Sequence, residues 1–238
     1  IGESAFMNCP NLSAVNLPKN LQALGASAFS DCTGLISISI PKTVTKAGNR
    51  GPFYGCLNLE SVEFEPGIKR LPDCILDGCN AELSITIPNS VTNIGFCAFR
   101  NSGVVSVFIP DTTAKIEESA FSACTSLTSI KIPDSVTYMG KSVFANCTSL
   151  TDVTLPNAWE SIPASTFAGC TVLEKLVLPE SVKNIRDSAF KNCTALKELV
   201  WSKAPELIES NAFYNCDAIT EMDIPATVCL LYTSDAAD

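Results

Sequence analysis

Apolar residues recur in a fixed order along this chain. Between Ile116 and Tyr138 they are Ile116, Phe121, Cys124, Leu127, Ile130, Ile132 and Val136, and the intervening positions are mostly polar or small. Two periods are nested in that order. "LTSIKIP" sets Ile130 and Ile132 at alternate positions around Lys131 and stops at Pro133, which cannot donate to a sheet ladder, so a short strand is predicted there. "IEESAFSAC" sets Ile116, Ala120 and Cys124 four residues apart, which predicts one or two helical turns.

The whole unit then repeats. "IGESAFMNCPNLSAVNLPKNL" at Ile1 returns as "LGASAFSDCTGLISISIPKTV" at Leu24 and "MGKSVFANCTSLTDVTLPNAW" at Met139. Starts fall at Ile1, Leu24, Ala47, Leu71, Ile94, Ile116, Met139, Ile162, Ile185 and Ile208, a period of 23 residues with one longer and one shorter copy. A unit this short cannot bury its apolar side alone. Successive units must stack strand on strand, which predicts one solenoid of ten repeats over residues 1–228, cut at both ends, with no linker. Gly2, Gly25, Gly95 and Gly140 share a column with Pro72 and Pro163. Those glycines are therefore not expected to be left-handed, and the prolines are expected to open helical first turns.

The same alignment explains most of the 12 cysteines. Cys9, Cys32, Cys56, Cys79, Cys124, Cys147, Cys170, Cys193 and Cys216 occupy one column, and Ser102 fills it in the fifth repeat. Cysteine packs as a small hydrophobe, so this column reads as buried rungs. Zinc wants closely spaced ligand pairs, whereas these rungs lie a full repeat apart and the chain has no histidine. No metal or other cofactor is expected. Cys74 and Cys97 stand off the rung column, each three residues after a repeat start, in adjacent repeats. Stacked strands sit about 4.8 Å apart, so neighbouring rungs are also close enough to bridge, but nine in one column leave one over, and Cys74 with Cys97 is the pair expected to be able to crosslink.

Composition narrows the function classes. The chain has 238 residues, 46% of them hydrophobic, a formal charge of −9 and a pI near 4.6. That acidity argues against nucleic acid and against anionic membrane surfaces. No run of about 18 apolar residues is present to span a bilayer. Without histidine, neither a Ser-His-Asp triad nor a Cys-His pair can form. The 25 acidic residues are scattered over variable columns, so no enzymatic activity is expected.

The recurring "AF..C..L..I.IP..V..IG", with dots for variable positions, is nearly intact at Ala120 to Gly140 and resembles the BspA-type leucine-rich repeats, close to the treponemal class. The resemblance implies an α/β repeat fold, a right-handed solenoid with a parallel sheet on one face and short helical turns on the other. It also implies proteins of bacterial surfaces and parasitic protists that act in adhesion and partner binding. On that reading the chain is a monomeric module of a cell-surface or secreted protein, and its ligand is a protein or glycan, host-derived in some settings. The alternatives are an intracellular interaction scaffold and a noncatalytic spacer attached to a catalytic domain elsewhere.

The strand face supplies the surface for any such ligand. One outward column includes Ser84, Ser106, Ser129, Asp152 and Lys175; the next includes Phe108, Lys131, Thr154, Val177 and Val200. These ten are the expected ligand-binding residues on a face roughly 43 Å long, from nine steps of about 4.8 Å. Phe108, Val177 and Val200 stand out because they are apolar in an otherwise polar exposed column. The last ten residues, "CLLYTSDAAD" from Cys229 to Asp238, abandon the repeat and resemble a translated transposon-end sequencing adapter, so they are expected to be non-native.

Overall fold

The computed structural model describes residues 1–201, 203, 205–222, 224 and 228. The 229–238 tail, Ser202, Asp223 and Pro225 lie outside the described residues. In chain order the strands are β1 Ala23–Leu24, β2 Ser37–Ile40, β3 Lys46–Ala47, β4 Ser61–Phe64, β5 Arg70–Leu71, β6 Leu83–Thr86, β7 Asn93–Ile94, β8 Val104–Phe108 and β9 Lys115–Ile116. They continue as β10 Ser129–Lys131, β11 Tyr138–Met139, β12 Asp152–Thr154, β13 Ser161–Ile162, β14 Lys175–Leu178, β15 Asn184–Ile185, β16 Glu198–Trp201 and β17 Leu207–Ile208.

Long even-numbered strands and two-residue odd-numbered strands alternate, and every pairing is parallel, between equivalent positions of neighbouring repeats. The result is a right-handed leucine-rich-repeat β-solenoid of about eight turns, each turn carrying one long strand. Alternation within the long strands follows from the sequence: in β2, Ser37 and Ser39 face out while Ile38 and Ile40 face in.

The core is a set of one-residue columns. Phe99, Phe121, Phe144, Phe167, Phe190 and Phe213 form a continuous stack, with ring centroids 5.0 to 5.8 Å apart and planes within 13°. Phe6, Phe29 and Phe53 form a second one, and buried Leu76 separates the two. The cysteine rungs are buried as expected, apart from half-buried Cys9, and Ser102 is buried in their place. Their burial has a chemical rationale that periodicity does not reveal. Cys56, Cys124, Cys147, Cys170 and Cys193 each donate through Sγ to the carbonyl of a phenylalanine in the preceding turn, at 3.0 to 3.2 Å. Ser102 keeps the column connected, its Oγ 3.4 Å from Cys124 Sγ.

The predicted helical turns are absent: no helix occurs among the described residues. In "IEESAFSAC", the amides of Ser119, Phe121 and Ala123 donate to Lys141, Val143 and Ala145 of the next turn, at 3.0, 3.0 and 2.7 Å. The amides between them, of Ala120 and Ser122, close tight turns onto residues three back. A helix would return every amide to its own segment, four residues back. Ser119 and Ala123 also have positive φ, 56° and 57°, and a left-handed residue ends any right-handed run. The four-residue spacing therefore comes from paired left-handed corners. Asn8, Asp31, Gly55, Gly78, Asn101, Asn146, Gly169, Asn192 and Asn215 fill the second corner elsewhere, residue types that tolerate that conformation.

The shared glycine column is not left-handed, as read from the sequence, but it is crowded: a Cβ on Gly140 would lie 2.3 Å from the Glu118 backbone nitrogen. Its prolines do something other than start helices. Glu117, Gly140, Arg186 and Glu209 in this column donate their amides to the preceding turn, onto Ile94, Ile116, Ile162 and Ile185. Pro72 and Pro163 have no N–H to give. The short-strand ladder stops at both places, between β3 and β5 and between β11 and β13.

Candidate functional site

The structure gathers the ten expected ligand-binding residues on one face of the long strands. Ser84, Ser106, Phe108, Ser129, Lys131, Asp152, Thr154, Lys175 and Val177 are exposed, and Val200 is half-buried. Parallel register fixes their neighbours. Ser84 lies beside Ser106, Thr86 beside Phe108, Ser129 beside Asp152, Lys131 beside Thr154, Lys175 beside Glu198 and Val177 beside Val200.

Two halves of the face differ in chemistry. Toward the N-terminus the outward groups are mostly hydroxyls, and Ser106 Oγ donates to Ser84 Oγ at 3.0 Å. Toward the C-terminus charges pair across turns: Lys175 to Glu198 at 2.8 Å and Lys197 to Glu174 at 3.0 Å. These pairs are exposed, so each is worth only about 0.2–1 kcal/mol and leaves the face accessible. Phe108 is 59% exposed and Val177 56%, which confirms that both apolar side chains face solvent. Three turns separate them, about 14 Å at strand spacing.

A groove of about 560 Å³ adjoins Lys131 and Thr154 where β10 and β12 turn off the face. It adds Asp111, Asp134, Ser135 and Asn157 to the site, none of which stood out in the sequence. The signal was present, since Asp111, Asp134 and Asn157 each follow the proline that closes a strand. Asp134 Oδ1 accepts the Asn157 amide at 2.8 Å, so part of this groove is pinned across one turn boundary. A second groove, of about 390 Å³, opens where Pro163 interrupts the short ladder. Trp159 closes its floor, buried, with Nε1 donating to Val136 O at 2.8 Å.

The thiols divide into two kinds. Burial pushes the rung thiols of Cys56, Cys124 and Cys170 up to about 12, which leaves them protonated and unreactive. Cys74 and Cys97 are both free and buried on the turn wall, at equivalent positions of two turns whose short strands pair in register. Among the described residues no helix is long and apolar enough to cross a membrane.

Comparison with known proteins agrees with this architecture. A family model described as "BspA type Leucine rich repeat region" matches in six copies, over residues 1–128 and 114–234. No curated protein matches the chain. Among solved structures, a leucine-rich repeat protein from Bacteroides ovatus is 26% identical with a TM-score of 0.64, over 92% of this chain and 54% of that one. The chain thus spans about half the length of that structure. A leucine rich cell surface protein from Faecalibacterium prausnitzii is 25% identical over 92% of this chain and 81% of that one, with a TM-score of 0.47. The Treponema pallidum leucine rich repeat protein is 22% identical over 87% and 74%, with a TM-score of 0.42. Periodicity, strand register, stacked core and family match converge, and the chain belongs to the BspA-type leucine-rich repeat family.

Proposed function

We propose that this chain is a non-enzymatic binding module of a cell-surface or secreted protein, and that it recognises a protein or glycan ligand through its strand face. The observation that carries the reading is the exposure of Phe108 and Val177 within a flat polar strand surface. Apolar groups held in water there lose nothing in the fold when removed but gain contact when covered. The hydroxyl row at Ser84, Ser106 and Ser129 and the polar groove beside Lys131 and Thr154 supply hydrogen-bonding groups to the same ligand. The long strands pair two by two in parallel register over a stacked core, which holds the face in shape and lowers the ordering cost of binding. The module acts as a monomer.

The test is a binding screen against mucins, matrix proteins and glycans, followed by two substitutions. Phe108→Ser is expected to weaken the ligand found by roughly tenfold or more, the scale of an apolar anchor. Glu118→Gln, on the turn wall where it pairs with Lys141 at 3.4 Å, is expected to leave affinity unchanged. Loss of binding in the Glu118 variant alone would move the site to the turn wall.

A further inference from the structure

We propose that Cys74 and Cys97 form a redox-active dithiol, which a peroxide converts to a disulfide joining the turn that starts at Leu71 to the turn that starts at Ile94. The two residues hold equivalent corners of adjacent turns. Both are left-handed, with φ of 54° and 52°, so their Cα–Cβ bonds leave the backbone in the same sense. The Cys74 amide donates to Phe96 O at 2.8 Å, which fixes the two corners against each other. Strand-like spacing of about 4.8 Å lies inside the Cα separation that a disulfide accepts.

Their chemistry differs from that of the rungs. The neighbouring Cys97 side chain holds the Cys74 thiol below its ordinary range, against the effect of burial. The Arg100 guanidinium acts in the same direction, and the Asp77 carboxylate opposes it. Arg100 is held in place by that carboxylate, which is 4% exposed on its residue and accepts from Nε at 2.9 Å and from an Nη at 2.7 Å. Cys97 is pushed the other way by its Cys74 neighbour and by burial. One thiol is thus poised to ionise and its neighbour to resolve. Cys193 and Cys216 are pushed in the same opposed directions, but both donate to phenylalanine carbonyls, at 3.1 and 3.0 Å, and the charge facing Cys216 is the Asp217 carboxylate.

The oxidant is hydrogen peroxide, small enough to reach side chains that are 2% and 1% exposed. The Cys74 thiolate attacks one peroxide oxygen, the O–O bond breaks, and hydroxide leaves and takes up a proton to become water. Cys97 then loses its proton and displaces the hydroxyl from the Cys74 sulfur, which departs as a second water. Two thiols and one peroxide give one disulfide and two waters, and a dithiol reductant reverses the bond.

The experiment exposes the reduced full chain to hydrogen peroxide, alkylates the remaining thiols and maps them by mass spectrometry. A Cys74–Cys97 linked peptide that dithiothreitol abolishes, with Cys147 and Cys170 still alkylated after unfolding, is the expected result. Cys97→Ser is expected to leave a sulfenic acid on Cys74 that a dimedone-type probe traps, whereas Cys74→Ser leaves Cys97 unmodified. Serine is the residue of this corner at Ser27, Ser119, Ser142, Ser165 and Ser188, so both variants should fold. Arg100→Gln should slow crosslinking, because the Cys74 thiolate loses a nearby positive charge while the Asp77 carboxylate remains. Full alkylation of both thiols after peroxide, or linkage of Cys193 to Cys216 in preference to this pair, would overturn the proposal.

Discussion

The turn beginning at Ile162 meets different neighbours on its two sides. Toward the turn at Ile185 both ladders are closed: β13 pairs with β15, β14 pairs with β16, and the Arg186 amide reaches Ile162 O at 3.1 Å. Toward the turn at Met139 neither ladder is formed, because β11 does not pair with β13, nor β12 with β14. Pro163 accounts for the short ladder, but the long ladder also lapses between β8 and β10, where no proline intervenes. What joins the Met139 turn to its successor is the turn wall, through the amides of Ser142, Phe144 and Asn146, the phenylalanine stack, and the loop end, where the Lys183 and Asn184 amides reach Glu160 O and Ser181 Oγ reaches the carbonyls of Asn157 and Trp159. One boundary is thus closed by both ladders, and the other is held by its core, its corners and its loop end without either ladder.

Removing the core contact at the weak boundary is the strongest way to test that difference. Phe144→Ala is expected to cost about 3–5 kcal/mol, because it empties a buried rung of the stack at the boundary that lacks both ladders. The matched change Phe190→Ala sits at a boundary with more backbone support, and denaturant melts should show the smaller loss there. Equal losses would mean that the ladders contribute little to coupling between turns. Next in size, Arg186→Pro should introduce a lapse into the closed boundary. It strands Ile162 O and removes the Arg186–Glu209 pair, and a loss of about 1–3 kcal/mol is expected. Amide exchange should then quicken in β15 while β17 keeps its rate.

The reverse substitution is smaller. Pro163→Ala restores an amide that can reach Met139 O, worth about 0.5–1.5 kcal/mol, but frees the unfolded chain by about 0.4–1 kcal/mol. Net stability should hardly move, and the sensitive measurement is protection from exchange at the new position 163 amide. A fully exposed rate there would show that something other than the missing donor keeps β11 and β13 apart. Smallest of all, Lys131→Ala on the strand face should stay within about 0.5 kcal/mol in a thermal melt, since its side chain is solvent-facing and bears no packing.

The recovery of the strand face and the loss of the helices have related causes. Ile130 and Ile132 bracket Lys131 with a period of two, a spacing that also recurs in every neighbouring repeat, so the inward and outward columns could be read directly. The spacing of Ile116, Ala120 and Cys124 carried no such safeguard. Four residues fit one helical turn and equally fit two left-handed corners, and only hydrogen bonds to the adjacent turn decide between them. The asparagine and glycine corners were visible but carried meaning only once those bonds were known. The groove at Asp111, Asp134 and Asn157 was hidden for a similar reason, since it exists between turns and not within one.

By itself, then, the sequence determined the period, the stacking, the buried columns and the face that meets solvent, because each of these is a one-dimensional pattern repeated until chance cannot mimic it. Tertiary structure decided how the backbone satisfies itself. Half the amides on the turn wall leave for the next repeat, rung thiols close onto phenylalanine carbonyls, and two prolines silence a ladder that glycines and charged residues sustain. A hydrogen bond between turns joins residues about 23 positions apart, and its existence depends on spacing and φ at both ends, which no local pattern records.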